Sequence, residues 1–262
     1  MSSTHHPAAV KSLGCVLKVI VCLLLMAAPC HAQQFQIRYS FTGLPGNQSS
    51  TLPLADSVPI LLTVSGITRG SGITTVAGSG GMAAGGWTTT SFDPNDYFTL
   101  NLSSAYGYRV RVDSISFAER RSLTGPGGLE LRTSVDTFGQ GIYSATLPDD
   151  AKVRRHDVQT GGIWADETVP LEVRFYGYQA EASGGTWRLG GSTTAADNPN
   201  GLSTDLLISG WMEPSATVAP EPASIGLILG VLPAIGCACL WRNKMRHVFL
   251  FISRLTLACV GF

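Results

Sequence analysis

Residues 171–176 read Leu-Glu-Val-Arg-Phe-Tyr. In an extended strand this puts Leu171, Val173 and Phe175 on one face and Glu172, Arg174 and Tyr176 on the other. Such a strand can hide its apolar face only against a second layer, so the surrounding chain has to supply more strands. Short alternating stretches recur at 36–41, 58–68, 97–102, 108–118, 129–135, 142–147, 186–189 and 206–211. Turn-forming clusters separate them, and between residues 33 and 215 no stretch has the apolar period of an amphipathic helix. The body therefore reads as all-β, a jelly-roll-like β-sandwich forming one domain.

Finer features follow from parity. Val110 and Val112 share one parity while Ile115 and Phe117 share the other, so one extra residue near Asp113 and Ser114 would keep all four inward as a β-bulge. Thr124-Gly125-Pro126-Gly127-Gly128 reads as a turn. The small-residue segment 78–86 reads as a loop, and 190–204 as a second one.

The two ends differ from the body. Lys11 and Lys18 precede an apolar run from 19 to 28 and then Cys30-His31-Ala32. That is the layout of a secretory signal peptide over 1–32, cleaved between Ala32 and Gln33. The run is shorter than the about 20 apolar residues a spanning helix needs, and Pro29 disfavours lipidation at Cys30. At the other end a linker, 216–224, carries Pro220-Glu221-Pro222. An apolar run, 225–241, reads as a single transmembrane helix, and the basic residues Arg242, Lys244 and Arg246 open the final segment 242–262. All six cysteines lie in these terminal segments, so the exported body forms no disulfide.

The formal charge of +0 hides an acidic body. Residues 33–215 hold 12 Lys and Arg against 17 Asp and Glu, a net charge of −5. Nucleic-acid binding, which rests on neutralising phosphates, is excluded by that sign. Catalytic constellations are equally sparse. His156 is the sole histidine of the body, in a polar stretch that looks exposed, and it has no cysteine partner. Neither a nucleophile–base pair nor a zinc ligand set assembles from that inventory. Asp136, Asp166, Glu167 and Glu172 supply acids for glycoside hydrolysis, although nothing singles out one pair. Asp93-Pro94-Asn95-Asp96 and Asp197-Asn198-Pro199-Asn200-Gly201 gather oxygen atoms at turns without EF-hand spacing. Asp93 and Asp96 stand as calcium candidates against the simpler reading of turn formation. Tyr176 and Tyr178 are the candidate glycan contacts, as apolar rings beside polar strands, while Trp187 reads as core.

The tail, with Ala219-Pro220-Glu221-Pro222-Ala223-Ser224, an apolar helix and a basic cluster in that order, resembles the PEP-CTERM sorting signal. That signal, also known as the ice-binding protein C-terminal domain, is found on exported bacterial proteins and processed by exosortases. The resemblance implies cleavage near the Pro-Glu-Pro motif. Basic residues on the cytoplasmic side would hold the body in the periplasm beforehand. One departure is the continuation from His247 to Phe262 beyond the basic cluster. The body resembles a domain recurrent in such proteins over roughly 87–211. The match runs through Tyr97-Phe98-Thr99-Leu100, Ser114-Ile115-Ser116-Phe117, Arg120-Arg121-Ser122 with Thr124-Gly125-Pro126, Ser134-Val135-Asp136 with Phe138, Arg174 to Tyr178, and Gly185 to Leu189. An acidic residue expected after Trp187-Arg188-Leu189 is replaced by Gly190.

Together these readings predict a non-enzymatic, exported protein of the cell envelope or exopolysaccharide matrix. No cofactor is implied. Its partners would be the Sec-type export machinery, an exosortase, the membrane and matrix polysaccharide. A carbohydrate-binding module is the alternative, and a glycan-active hydrolase a further one.

Overall fold

A computed structural model describes residues 32–165, 168–192 and 194–215. The expectations for the leader up to residue 31, for Asp166 and Glu167, and for the tail from 216 onward fall outside those residues. These include Pro220, Glu221, Pro222, Arg242, Lys244 and Arg246. Among the described residues no helix is long and apolar enough to cross a membrane.

The body is built of strands and two short 3-10 turns. In chain order the strands are β1 (Gln33–Tyr39), β2 (Pro45–Gly46), β3 (Leu62–Val64), β4 (Thr68–Arg69), β5 (Thr74–Thr75), β6 (Gly81–Gly85) and β7 (Tyr97–Ser104). There follow β8 (Tyr108–Arg121), β9 (Pro126–Thr133), β10 (Gly141–Thr146), β11 (Arg154–Ala165), β12 (Leu171–Ala180), β13 (Thr186–Gly190) and β14 (Leu206–Pro214). They form two sheets packed as a sandwich, one of eight strands and one of six.

β8 is the spine of the larger sheet. β11 runs along one of its edges, and the other edge is shared: β14 pairs with residues 108–116 and β13 with residues 119–121. β1 extends the sheet beyond β14, while β6, with β2 and β5, extends it beyond β13. In the smaller sheet the order is β10-β9-β12-β7, and β3 and β4 share the outer edge of β7.

The inner faces are the apolar parities read from the sequence. Leu171, Val173 and Phe175 are buried, as are Val110, Val112, Ile115 and Phe117. Phe117 and Phe175 meet edge to face across the sandwich, 5.1 Å between centroids, a geometry worth about 1 kcal/mol beyond burial. Trp87, Phe98 and Trp187 form a second aromatic knot with centroid separations of 5.2–5.5 Å. The predicted bulge is present, because β14 pairs Ser209 with Ser114 and Gly210 with Val112, so Asp113 is the extra residue.

Three expectations need correction. Residues 78–86 are not all loop, since Gly81–Gly85 form the fully buried β6, whose small side chains let Arg69 lie across it and donate to Ala83 O. Gly127 and Gly128 belong to β9, and the Tyr178 ring lies so close over Gly128 that a Cβ there would be 2.3 Å from it. The stretch 58–68 breaks into β3 and β4. β11 is concealed in the sequence because both of its parities carry polar residues.

Candidate functional site

The Asp113 bulge faces a larger irregularity on β11. Gln159 pairs with Ser114 and Ile163 with Val112, so Thr160, Gly161 and Gly162 oppose the single residue Asp113. Gly161 and Gly162 have φ of +73° and +84°, a region glycine enters without steric cost. Thr160 Oγ1 pins the excursion by donating to Val112 O at 2.5 Å. Bulges bend a strand and re-aim its side chains. Here they open a cavity of about 460 Å³ on the outer face, lined by Arg111, Asp113, Gln159, Gly161, Gly162 and Trp164.

Its polar groups are held in place. Arg111 Nε lies 2.8 Å from Asp113 Oδ1, and the Arg111 stem passes 3.3 Å from where a Gly162 Cβ would stand. Trp164 is 39% exposed, and the Arg109 guanidinium sits over its ring at 4.3 Å. Arg109 is anchored in turn by donating from Nε to Glu213 at 2.6 Å. Trp164 also borders a second cavity of about 210 Å³, walled by Ser134, Val135, Val169, Pro170 and Leu171. Arg111 is the register partner of both Trp164 on β11 and Trp211 on β14, so one outward row crosses three strands. The site offers fixed donors and acceptors beside an indole plate. It contains one carboxylate, already ion-paired, and no histidine, an arrangement suited to holding a ligand rather than transferring its protons.

The residues proposed from sequence lie elsewhere. Glu172, Arg174, Tyr176 and Tyr178 do share the outer face of the smaller sheet, but Tyr176 is buried at 2% exposure. Phe92 covers it at 4.8 Å and Tyr97 flanks it at 5.4 Å, while Arg174 Nη1 donates to its hydroxyl. Arg132 and Arg174 lie over Phe92 and Phe138 at 4.1 and 3.7 Å. Stacking therefore closes the platform that Tyr176 was expected to offer, and Tyr178 alone remains half-buried there. Glu172 is taken by Arg174 Nε at 2.6 Å and Thr99 Oγ1 at 2.9 Å. Asp136 accepts from Gln140 N at 2.7 Å.

Asp93 and Asp96 serve their loop. Asp93 Oδ1 accepts from Asn95 N at 2.8 Å, and Asp96, nearly buried, accepts from Thr88 N at 2.7 Å. Asp197 pairs with Arg120 at 3.0 Å. Among the described residues no group of three or more His, Cys, Asp or Glu could hold a metal ion.

Sequence reasoning missed a polar cluster between the sheets. Glu119 is fully buried; it accepts from Trp187 Nε1 at 2.8 Å and from Arg154 Nη1 at 3.2 Å. His156, expected to be exposed, is 9% exposed. It stacks on Phe117 and shares a 2.9 Å hydrogen bond with Tyr143 Oη, and its Nε2 stands 3.7 Å from Glu119. Burial, then the Glu119 charge, push the Tyr143 phenol up, the opposite of what a nucleophile or base requires. Neither cavity is lined by this group, so it plugs the interior. Arg121 completes the plug, donating to Leu147 O, Leu123 O, Ser122 O and Glu181. Arg121 thereby clamps the turn into β9. Gly190 is likewise structural: its φ is +98°, and a Cβ would stand 2.7 Å from Gly80 O and 2.8 Å from Phe41.

No protein-family model matches the chain, and no curated protein matches it. Among solved structures it is similar to a mutant of a carbohydrate binding module family 29, at 14% identity and a TM-score of 0.33, over 73% of this chain and 99% of that one. It is also similar to a marine algae virus of the order Picornavirales, at 11% identity and a TM-score of 0.19, over 71% of this chain and 70% of that one.

Proposed function

We propose that the protein is an exported, non-enzymatic component of the cell envelope or exopolysaccharide matrix, with a jelly-roll-like body that works by contact. The observation that carries this reading is the contrast between its acids and its open face. The hydrolase candidates Asp136 and Glu172 are committed to internal partners, whereas the outward cavity presents a fixed ion pair, an amide and an indole.

Sequence supplies the address. The Pro220-Glu221-Pro222 motif, the run 225–241 and the cluster Arg242, Lys244 and Arg246 form a PEP-CTERM-type signal. Export through the Sec route would deliver the body to the periplasm, and an exosortase would release it. The start of β1 at Gln33, the residue that leader cleavage would make N-terminal, supports this division. The test is fractionation of cells expressing the full chain, with and without an exosortase. Retention in the inner-membrane fraction without the enzyme, and release into the outer envelope and matrix fractions when it is present, are expected. Retention of the uncleaved chain in the cytoplasm of both hosts would overturn the reading.

A further inference from the structure

We infer that the cavity at the paired bulge is a binding site for a neutral saccharide chain, with Trp164 as its stacking surface; this rests on the matrix-contact reading above. A pyranose presents a rim of hydroxyls around a face of C–H groups, so its receptor needs an apolar plate edged by donors and acceptors. Trp164 is that plate, partly exposed, with Arg109 over its ring at 4.3 Å and Arg111 farther off at 5.6 Å. Around it Arg111 donates, Asp113 accepts and the Gln159 amide does both.

Charge selects the class of chain. Arg111 is balanced by Asp113 and Arg109 by Glu213, so no cation is left over for a carboxylate, sulfate or phosphate on the ligand. A neutral chain keeps both ion pairs intact while its hydroxyls bridge them. Length follows from the register, because Trp164 and Trp211 flank Arg111 on neighbouring strands. Two strand spacings place them about 10 Å apart, so the row accommodates more than one sugar ring. The backbone contributes as well. Asp113 stands two residues from Arg111 and so shares its face of β8, while Gly161 and Gly162 line the cavity beside them.

The test is affinity electrophoresis of the detergent-solubilised full chain. Gels would contain hydroxyethylcellulose, xyloglucan, galactomannan or dextran, with polygalacturonate as the acidic comparator. Retardation by at least one neutral polymer is expected, with a tenfold or greater loss of affinity for Trp164→Ala and partial recovery for Trp164→Phe. Tyr106→Ala, at a ring 82% exposed on the β7–β8 turn, should bind as the parent does. Should Trp164→Ala fail to match the parent in thermal unfolding, Gln159→Ala and Asp113→Ala read out the same loss. Absence of retardation by every neutral polymer, retardation confined to polygalacturonate, or full binding by these variants would overturn the site. Co-sedimentation with host matrix material separates the two levels. Matrix binding that survives in Trp164→Ala removes this site and leaves the matrix reading standing.

Discussion

Glu119 is a carboxylate held between two sheets by an indole N–H and a guanidinium. Truncating one member of a buried charged group leaves its partners without their acceptor, at a cost of about 3 kcal/mol. Glu119→Ala should therefore lose about that much stability in urea unfolding, and Glu119→Gln, which keeps an acceptor for Trp187, distinctly less. Asp96 makes a pH prediction. Burial pushes its carboxyl up, the Thr88 N–H opposes, and the Asp93 charge adds to the rise. A carboxyl raised above its unfolded value binds its proton more tightly in the folded state, so stability falls as pH rises above about 4 through the folded value. Asp96→Asn retains an acceptor for Thr88 and cannot titrate. Its melting temperature should lie above the parent's at neutral pH, with a flatter profile, as measured by circular dichroism from pH 4 to 8. At this scale the sequence was legible where apolar parity ran unbroken, as at Leu171, Val173 and Phe175. It was not legible at Glu119 and Arg121, because charged residues after Phe117 look like the end of a strand although they continue its inward face. Tyr176 misled for the converse reason, since nothing local reveals that Phe92 arrives from a distant loop to cover it.

Among the elements, the regular strands β7, β8, β12, β13 and β14 were readable within a few residues. The bulge at Asp113 was readable because it alone reconciles two apolar parities. β6 and β11 were not. Gly81–Gly85 is a strand through its pairing with β13, a tertiary cause that composition conceals. β11 changes parity across Gly161-Gly162, so that His156 and Val158 before it and Ala165 after it all face inward; that change was the signal available. A glycine pair tests how element ends are built. Gly190 and Gly201 both have positive φ, +98° and +58°, but only Gly190 is hemmed in by Gly80 O and Phe41, while Gly201 has nothing within 4 Å. Gly201→Ala should cost about 1 kcal/mol. Gly190→Ala should cost clearly more, because a clash adds to the strained backbone. Equal losses for the two in chemical denaturation would mean that the close approach between β13 and the Gly80 turn does not constrain the sheet.

For the whole molecule, what the body lacks in its sequence matters as much as what it holds. Without cysteines it depends on packing, and its polar interior closes around Glu119, Arg121 and His156. The site at the paired bulge was only half legible. Its backbone irregularity showed in the parity of β8, but Trp164 could not be singled out while β11 went unseen. The proposed address lies in terminal segments outside the described residues, and it rests on linear sequence alone. In the proposed function two terminal segments carry a contact-making body out of the cell. Intact-mass measurement of the exported chain, with and without an exosortase, tests it most directly. The predicted result is a chain beginning at Gln33 in both hosts and ending near Pro220-Glu221-Pro222 only when the enzyme is present. A mass that still includes residues 1–32, or one that runs to Phe262 in both hosts, would contradict it.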